Sequence, residues 1–173
     1  MGFFKEDLKH IKAFVFDVDG VFSKSSLLLE TDGELLRTMN IKDGFIVRYA
    51  ASIGFPIGII SGGDSESVRI RFNNLGVEDV YLKSRNKLKD FNHFIIKNNL
   101  KPSEVLFMGD DLPDYDILTR VGLPTCPMDA AEEIRAVSKY ISDKNGGDGC
   151  VRDVMEQVLR SQGKWDLDNM INL

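Results

Sequence analysis

Four short apolar runs, residues 11–16, 56–60, 80–82 and 105–108, each stop at a polar or turn-forming residue, and the segments between them carry helical periodicity. Parallel strands cannot be joined by a tight turn; each connection must cross a face of the sheet, usually as a helix. Apolar strands alternating with amphipathic segments therefore predict an α/β fold with a mainly parallel sheet flanked by helices. Leu88, Phe91, Phe94 and Ile95 fall on one helical face, and Val151, Val154, Met155, Val158 and Leu159 on another, which gives two helices with an apolar side for that sheet.

One segment breaks the alternation. Between the first strand and a helix beginning near Asp43, Leu27, Leu28 and Leu29 are followed by Asp32-Gly33 and then Leu35 and Leu36. Asp-Gly between apolar residues is a hairpin turn signal, so a β-hairpin is expected directly after the first strand, over about 21–41. A two-stranded ribbon cannot bury five leucines by itself, which calls for a subunit partner. The chain of 173 residues, 43% hydrophobic, is expected to form a single domain, with a loosely packed tail over about 161–173 anchored at Trp165.

Composition narrows the function classes. A net charge of −5 argues against broad nucleic-acid binding, and an anionic substrate would need local positive charge or a metal. The longest strongly apolar stretch, 53–60, is too short to span a bilayer, and residues 1–12 mix Lys, Glu and Asp, so neither a membrane span nor a signal peptide is expected. Cys126 and Cys150 have no metal-ligand spacing and read as free thiols in a reducing cytoplasm.

The chemistry sits where the apolar runs stop. Asp17-Val18-Asp19-Gly20 ends the first, placing two carboxylates at the C-terminal edge of a parallel sheet, where open α/β folds build their sites. A carboxylate nucleophile is repelled by a phosphate monoester, so the reaction needs a cation, and the leaving alkoxide needs an acid. Asp17 suits the nucleophile and Asp19 the acid and base. Gly109-Asp110-Asp111-Leu112-Pro113-Asp114 ends another run; Asp110 is the candidate Mg²⁺ ligand, with Asp111 and Asp114 in support, although Asp before Pro also caps helices. Ser61-Gly62-Gly63 offers a hydroxyl and backbone N–H groups to phosphate oxygens, and Lys87 offers a point charge. Singly these are ordinary turns and solvated side chains; in this order they supply every part of a phosphoryl-transfer site.

In that order, Asp17-Val18-Asp19-Gly20, Ser61, Lys87 and Gly109-Asp110-Asp111 resemble the four motifs of haloacid dehalogenase-type phosphatases, over almost the whole chain. The resemblance implies a Rossmann-like fold, Mg²⁺ as cofactor held by Asp17, Asp19 and Asp110, and an aspartyl-phosphate intermediate. Only a short segment separates Asp19 from the helix near Asp43, and no second domain fits between Ser61 and Asp110, so the chain is similar to the capless branch, whose members form tetramers through the hairpin. Asn40-Ile41-Lys42-Asp43-Gly44, Arg48, Arg71, Asn86-Lys87 and the tail Gln162-Gly163-Lys164 resemble members acting on a phosphorylated sugar acid. By that resemblance Asn40, Ile41, Lys42, Asp43, Gly44, Arg48, Arg71 and Lys87 contact substrate together with Asp19, Ser61 and Gly62, and the tail closes over a neighbouring subunit's site.

Two departures stand out: Gly63 where many members carry arginine, and Lys83-Ser84 where many carry glycine-glutamine. Members acting on nine-carbon acids carry glutamate at the Gly63 position, so its absence favours an eight-carbon substrate. A phospho-accepting receiver domain would place its acidic pair first and its acceptor mid-chain, against the order seen, and would leave Asp19 unexplained. A non-catalytic oligomerisation module would not need the full motif set.

Overall fold

The computed structural model describes residues 4–173, with side chains from Lys5 onward; the sequence reading of residues 1–3 within the N-terminal segment lies outside the described residues. After α1 (Phe4–His10) the chain enters β1 (Ala13–Phe16), then a hairpin of β2 (Leu28–Leu29) and β3 (Leu35–Leu36), α2 (Ile41–Ser52), β4 (Ile57–Ile60), α3 (Glu66–Asn73), β5 (Asp79–Tyr81) and α4 (Lys87–Lys97). There follow β6 (Val105–Met108), α5 (Tyr115–Leu118), β7 (Leu123–Cys126), α6 (Glu132–Val137), β8 (Tyr140–Ile141), α7 (Cys150–Ser161) and α8 (Leu167–Ile171).

Six strands form one parallel sheet in the order β5-β4-β1-β6-β7-β8. Numbered along the chain without the hairpin strands, that order is 3-2-1-4-5-6, the Rossmann arrangement. β1 lies at the centre, and its two neighbours belong to crossovers that run to opposite sides. The crevice opened by that reversal lies just beyond Phe16, at Asp17.

Alternation along β1 divides the core. Phe14 and Phe16 pack with Tyr49 of α2, Phe72 of α3 and Val154 and Val158 of α7, while Ala13 and Val15 face Phe91 and Phe94 of α4 with Ile117 and Ile134. Both faces are covered, as the apolar strands require. Among the described residues the hairpin is the insertion between β1 and α2, and no cap domain stands over the site. Its strands are two residues each, and Leu28 and Leu29 are 65% and 80% exposed. The tail is better packed than expected: Asp166 caps α8, Met170 is buried, and Arg152 and Arg160 stack on Trp165. No helix among the described residues is long and apolar enough to cross a membrane.

Candidate active site

Asp17 leaves β1 with its N–H donating to the Met108 carbonyl, which fixes it beside the end of β6. Gly20 then turns the chain at φ +85°, and a Cβ there would collide with the Asp110 carboxylate, so glycine permits both the turn and the close approach of the two acidic segments. Asp110 follows β6, and its N–H donates to Asp114 Oδ2 at 3.2 Å. Lys87 opens α4, whose first turn is capped by Asn86. Its ammonium lies 2.9 Å from Asp17 Oδ2 and 2.8 Å from Asp114 Oδ1. Ser61, at the end of β4, accepts from the Gly63 N–H and keeps its own proton to donate. Asp17, Asp19, Ser61, Gly62, Lys87, Asp110 and Asp111 thus line one cleft at the C-terminal edge of the sheet.

Carboxylate oxygens of Asp17, Asp110 and Asp114 lie within 4.8 Å of one another. Three carboxylates against one ammonium leave two negative charges when all are ionised, the charge of one divalent cation. Burial first, then the Asp114 charge, push Asp17 up to about 8 despite Lys87. The same two causes take Asp110 to about 7. Burial alone would lower Lys87, but Asp17 and Asp114 outweigh it and raise its pKa. All the donors are hard oxygens, so the cluster fits Mg²⁺. Asp114 has both oxygens engaged, by Lys87 and by the Asp110 N–H, and so braces the site, leaving Asp17 and Asp110 to hold a metal. Asp111 caps the turn Leu112–Asp114 through the Leu112 N–H.

Asp19 lies outside that acidic group and instead meets a residue the sequence reading did not single out. Arg37, just past β3, donates Nε to Asp19 Oδ1 at 2.6 Å and a terminal N–H to Oδ2 at 3.0 Å, while Ser23 Oγ donates at 3.0 Å to Oδ1. The Arg37 side chain is only 6% exposed, and its pKa is raised, chiefly by the hydrogen bond to Asp19. The guanidinium occupies space that a side chain at residue 63 would claim: a Cβ on Gly63 would lie 3.0 Å from it. An arginine paired across the hairpin has no local sequence signature; Gly63 was the one hint.

The segment expected to contact substrate forms the start of α2. Asn40 caps it through the Lys42 N–H, Ile41 and Lys42 are exposed, and Gly44 lies under the Arg71 guanidinium. Arg71 lines a smaller cavity beside Arg37 and Met39, and Arg48 donates to the Leu173 carbonyl, so within one protomer neither lines the catalytic cleft. Asp43 is fully buried: Oδ1 accepts the Arg152 N–H in the first turn of α7 at 2.7 Å, and Oδ2 has no partner among the described residues. Burial, the largest cause, pushes Asp43 up to about 6. Its folded pKa lies above the ordinary carboxylate value, so the fold favours the protonated form and loses stability as pH rises from about 4 to about 6. Asp43→Asn keeps the acceptor for α7 and removes the charge. It is expected to stabilise the protein at pH 7 by about 1 to 3 kcal/mol, with the gain gone at pH 4. Urea unfolding at both pH values measures this, and an Asn variant no more stable than wild type at pH 7 would contradict it.

Strand order, cleft and acidic cluster define the class. The model of the haloacid dehalogenase-like hydrolases matches residues 62–154, and the chain belongs to that family. It is a hydrolase. Within the family it is similar to 3-deoxy-D-manno-octulosonate 8-phosphate phosphatase of Salmonella typhi, 33% identical over 158 residues, covering 91% of this chain and 84% of that protein. The Moraxella catarrhalis enzyme of that name, solved with a magnesium ion, a phosphate ion and KDO, superposes with a TM-score of 0.91 at 30% identity, covering 98% of this chain and 97% of that one. The Yersinia pestis phosphatase gives a TM-score of 0.89 at 29% identity, over 92% and 86% of the two chains.

Proposed function

We propose that this chain is a Mg²⁺-dependent phosphomonoesterase that hydrolyses 3-deoxy-D-manno-octulosonate 8-phosphate to the free sugar acid and phosphate, a step in making a lipopolysaccharide sugar in the cytoplasm. The observation that carries the reading is the meeting of Asp17, Lys87, Asp110 and Asp114 at one sheet edge, in a chain whose relatives share that activity along most of its length. All 173 residues are read as one catalytic domain.

Asp17 attacks phosphorus in line with the ester oxygen, forming an aspartyl phosphate as the P–O bond to the sugar breaks. Asp19 takes up a proton before the step, gives it to the departing alkoxide, then accepts one from the water that hydrolyses the acyl phosphate, returning Asp17 and releasing phosphate. Arg37 and Ser23 aim the Asp19 carboxylate, which accepts from both. Lys87, held by Asp114, meets the phosphoryl oxygens together with the Ser61 hydroxyl and the backbone N–H groups of Gly62 and Gly63. Asp17 and Asp110 would hold Mg²⁺, which would supply the positive charge that lets a carboxylate approach a phosphate.

Phosphate release from the eight-carbon ester is expected to exceed that from other sugar phosphates in kcat/KM; faster turnover of a nine-carbon acid 9-phosphate would reassign the substrate. The exposed leucines of the hairpin support a homotetramer, in which Arg48, Arg71 and the C-terminal tail act across subunit boundaries. Light scattering should give four times the chain mass. A stable, fully active monomer at micromolar concentration would rule this out.

A further inference from the structure

We propose that the loop between β5 and α4 selects the substrate, with Arg85 pairing the sugar-acid carboxylate from within the same protomer and Ser84 adding a hydroxyl hydrogen bond. The inference rests on the phosphatase reading above and assigns its second anionic group a partner.

Charge partition leads there. Two cations line the catalytic cleft, Lys87 and Arg85. Lys87 is committed to Asp17 and Asp114, and Arg37, which lines neighbouring cavities, is committed to Asp19. Arg85 has no hydrogen-bond or ion-pair partner among the described residues. A phosphate bound at Asp17 is already served by Lys87 and the Ser61 loop; a second anionic group on the same molecule is not. Arg85 precedes Lys87 by two residues and both line the cleft, so a ligand held by Lys87 at one end meets Arg85 along the same wall. A guanidinium fork matches a planar carboxylate.

Ser84 supplies independent support. It lines the same cleft, is 9% exposed, and its buried Oγ has no hydrogen-bond partner among the described residues. A buried hydroxyl is rarely left unpaired, and a ligand oxygen would complete it. The loop is also held in place: the Lys83 N–H donates to the Gly63 carbonyl and the Ser84 N–H to the Ser61 carbonyl. Lys83 itself adopts φ +55°, a conformation that costs a non-glycine residue, and such strain collects at functional sites. The wall that recognises the acid is thereby tied to the loop that receives phosphate. Arg48 and Arg71 line other cavities of the protomer, so Arg85 answers a need that they do not meet without a second subunit.

The test compares kcat/KM for two pairs of esters in wild type, Arg85→Ala, Arg85→Lys and Ser84→Ala. One pair is 3-deoxy-D-manno-octulosonate 8-phosphate with p-nitrophenyl phosphate; the other is 3-phosphoglycerate with glycerol 3-phosphate, which differ by the carboxylate. In Arg85→Ala the ratio of carboxylated to uncarboxylated substrate should fall roughly tenfold to a hundredfold, mainly through KM, with part recovered in Arg85→Lys. Ser84→Ala should lower the same ratio by a smaller factor. A ratio unchanged in Arg85→Ala, or equal losses on both members of each pair, overturns the inference while leaving the phosphatase reading intact. Wild-type failure on the octulosonate ester refutes the substrate reading instead, and the glycerate pair then decides the role of Arg85.

Discussion

Asp17→Asn is expected to reduce turnover by on the order of four orders of magnitude or more, with the fold retained, because the amide cannot attack phosphorus to form the acyl phosphate. Stability separates this from a packing defect. Asp17 is buried, and its carboxylate is pushed up to about 8 by that burial, so the fold does not depend on its ionised form at neutral pH. Lys87 keeps Asp114 at 2.8 Å in the variant, so no buried charge is left alone. The melting temperature should therefore stay close to that of wild type while phosphate release vanishes. Acid-quench labelling with a ³²P ester should trap a phosphoprotein in wild type and none in the variant. An Asn variant turning over at the wild-type rate would remove the covalent mechanism.

How much of this was readable beforehand follows from how local each signal is. The central strands were legible because both faces are buried: β6 was expected at 105–108 and forms at Val105–Met108, while the run expected at 80–82 forms at Asp79–Tyr81, one residue earlier. α4 and α7 were legible from their apolar faces. The strand β7, Leu123–Cys126, was not anticipated, since Pro124 lacks an N–H and argues against a strand by itself. Two-residue β8 and short α6 carry too few residues for a period to appear. Of the site, Asp17, Ser61, Lys87 and Asp110 each stand at a strand end or helix start, so the order of elements alone brings them together. Arg37 meets Asp19, and Asp43 meets the start of α7, only through tertiary packing. Both contacts depend on how the hairpin and α2 settle, which no spacing in the sequence encodes.

Removal of Mg²⁺ by a chelator is expected to abolish turnover, and the metal-free protein should reveal why in its protons. Burial first, then the Asp114 charge, hold Asp17 near 8 and Asp110 near 7, so at pH 7 the first is mostly protonated and the second about half. A divalent cation binds the ionised carboxylates, so its arrival should release roughly one to one and a half protons at pH 7. Fewer should be released above pH 9, where both groups are already ionised. Apparent affinity must then weaken as pH falls from 8 toward 6, since protons compete for the same oxygens, while Lys87 remains charged throughout. Titration of the metal-free protein with MgCl₂, by calorimetry in two buffers of different ionisation enthalpy, counts the protons without reference to catalysis. Asp110→Asn should release fewer protons and bind Mg²⁺ at least tenfold more weakly, because it removes a charged ligand and leaves Asp17 with Lys87. Full activity in excess chelator, or Mg²⁺ binding that releases no proton anywhere between pH 6 and 8, would mean that this cluster is not where the metal acts.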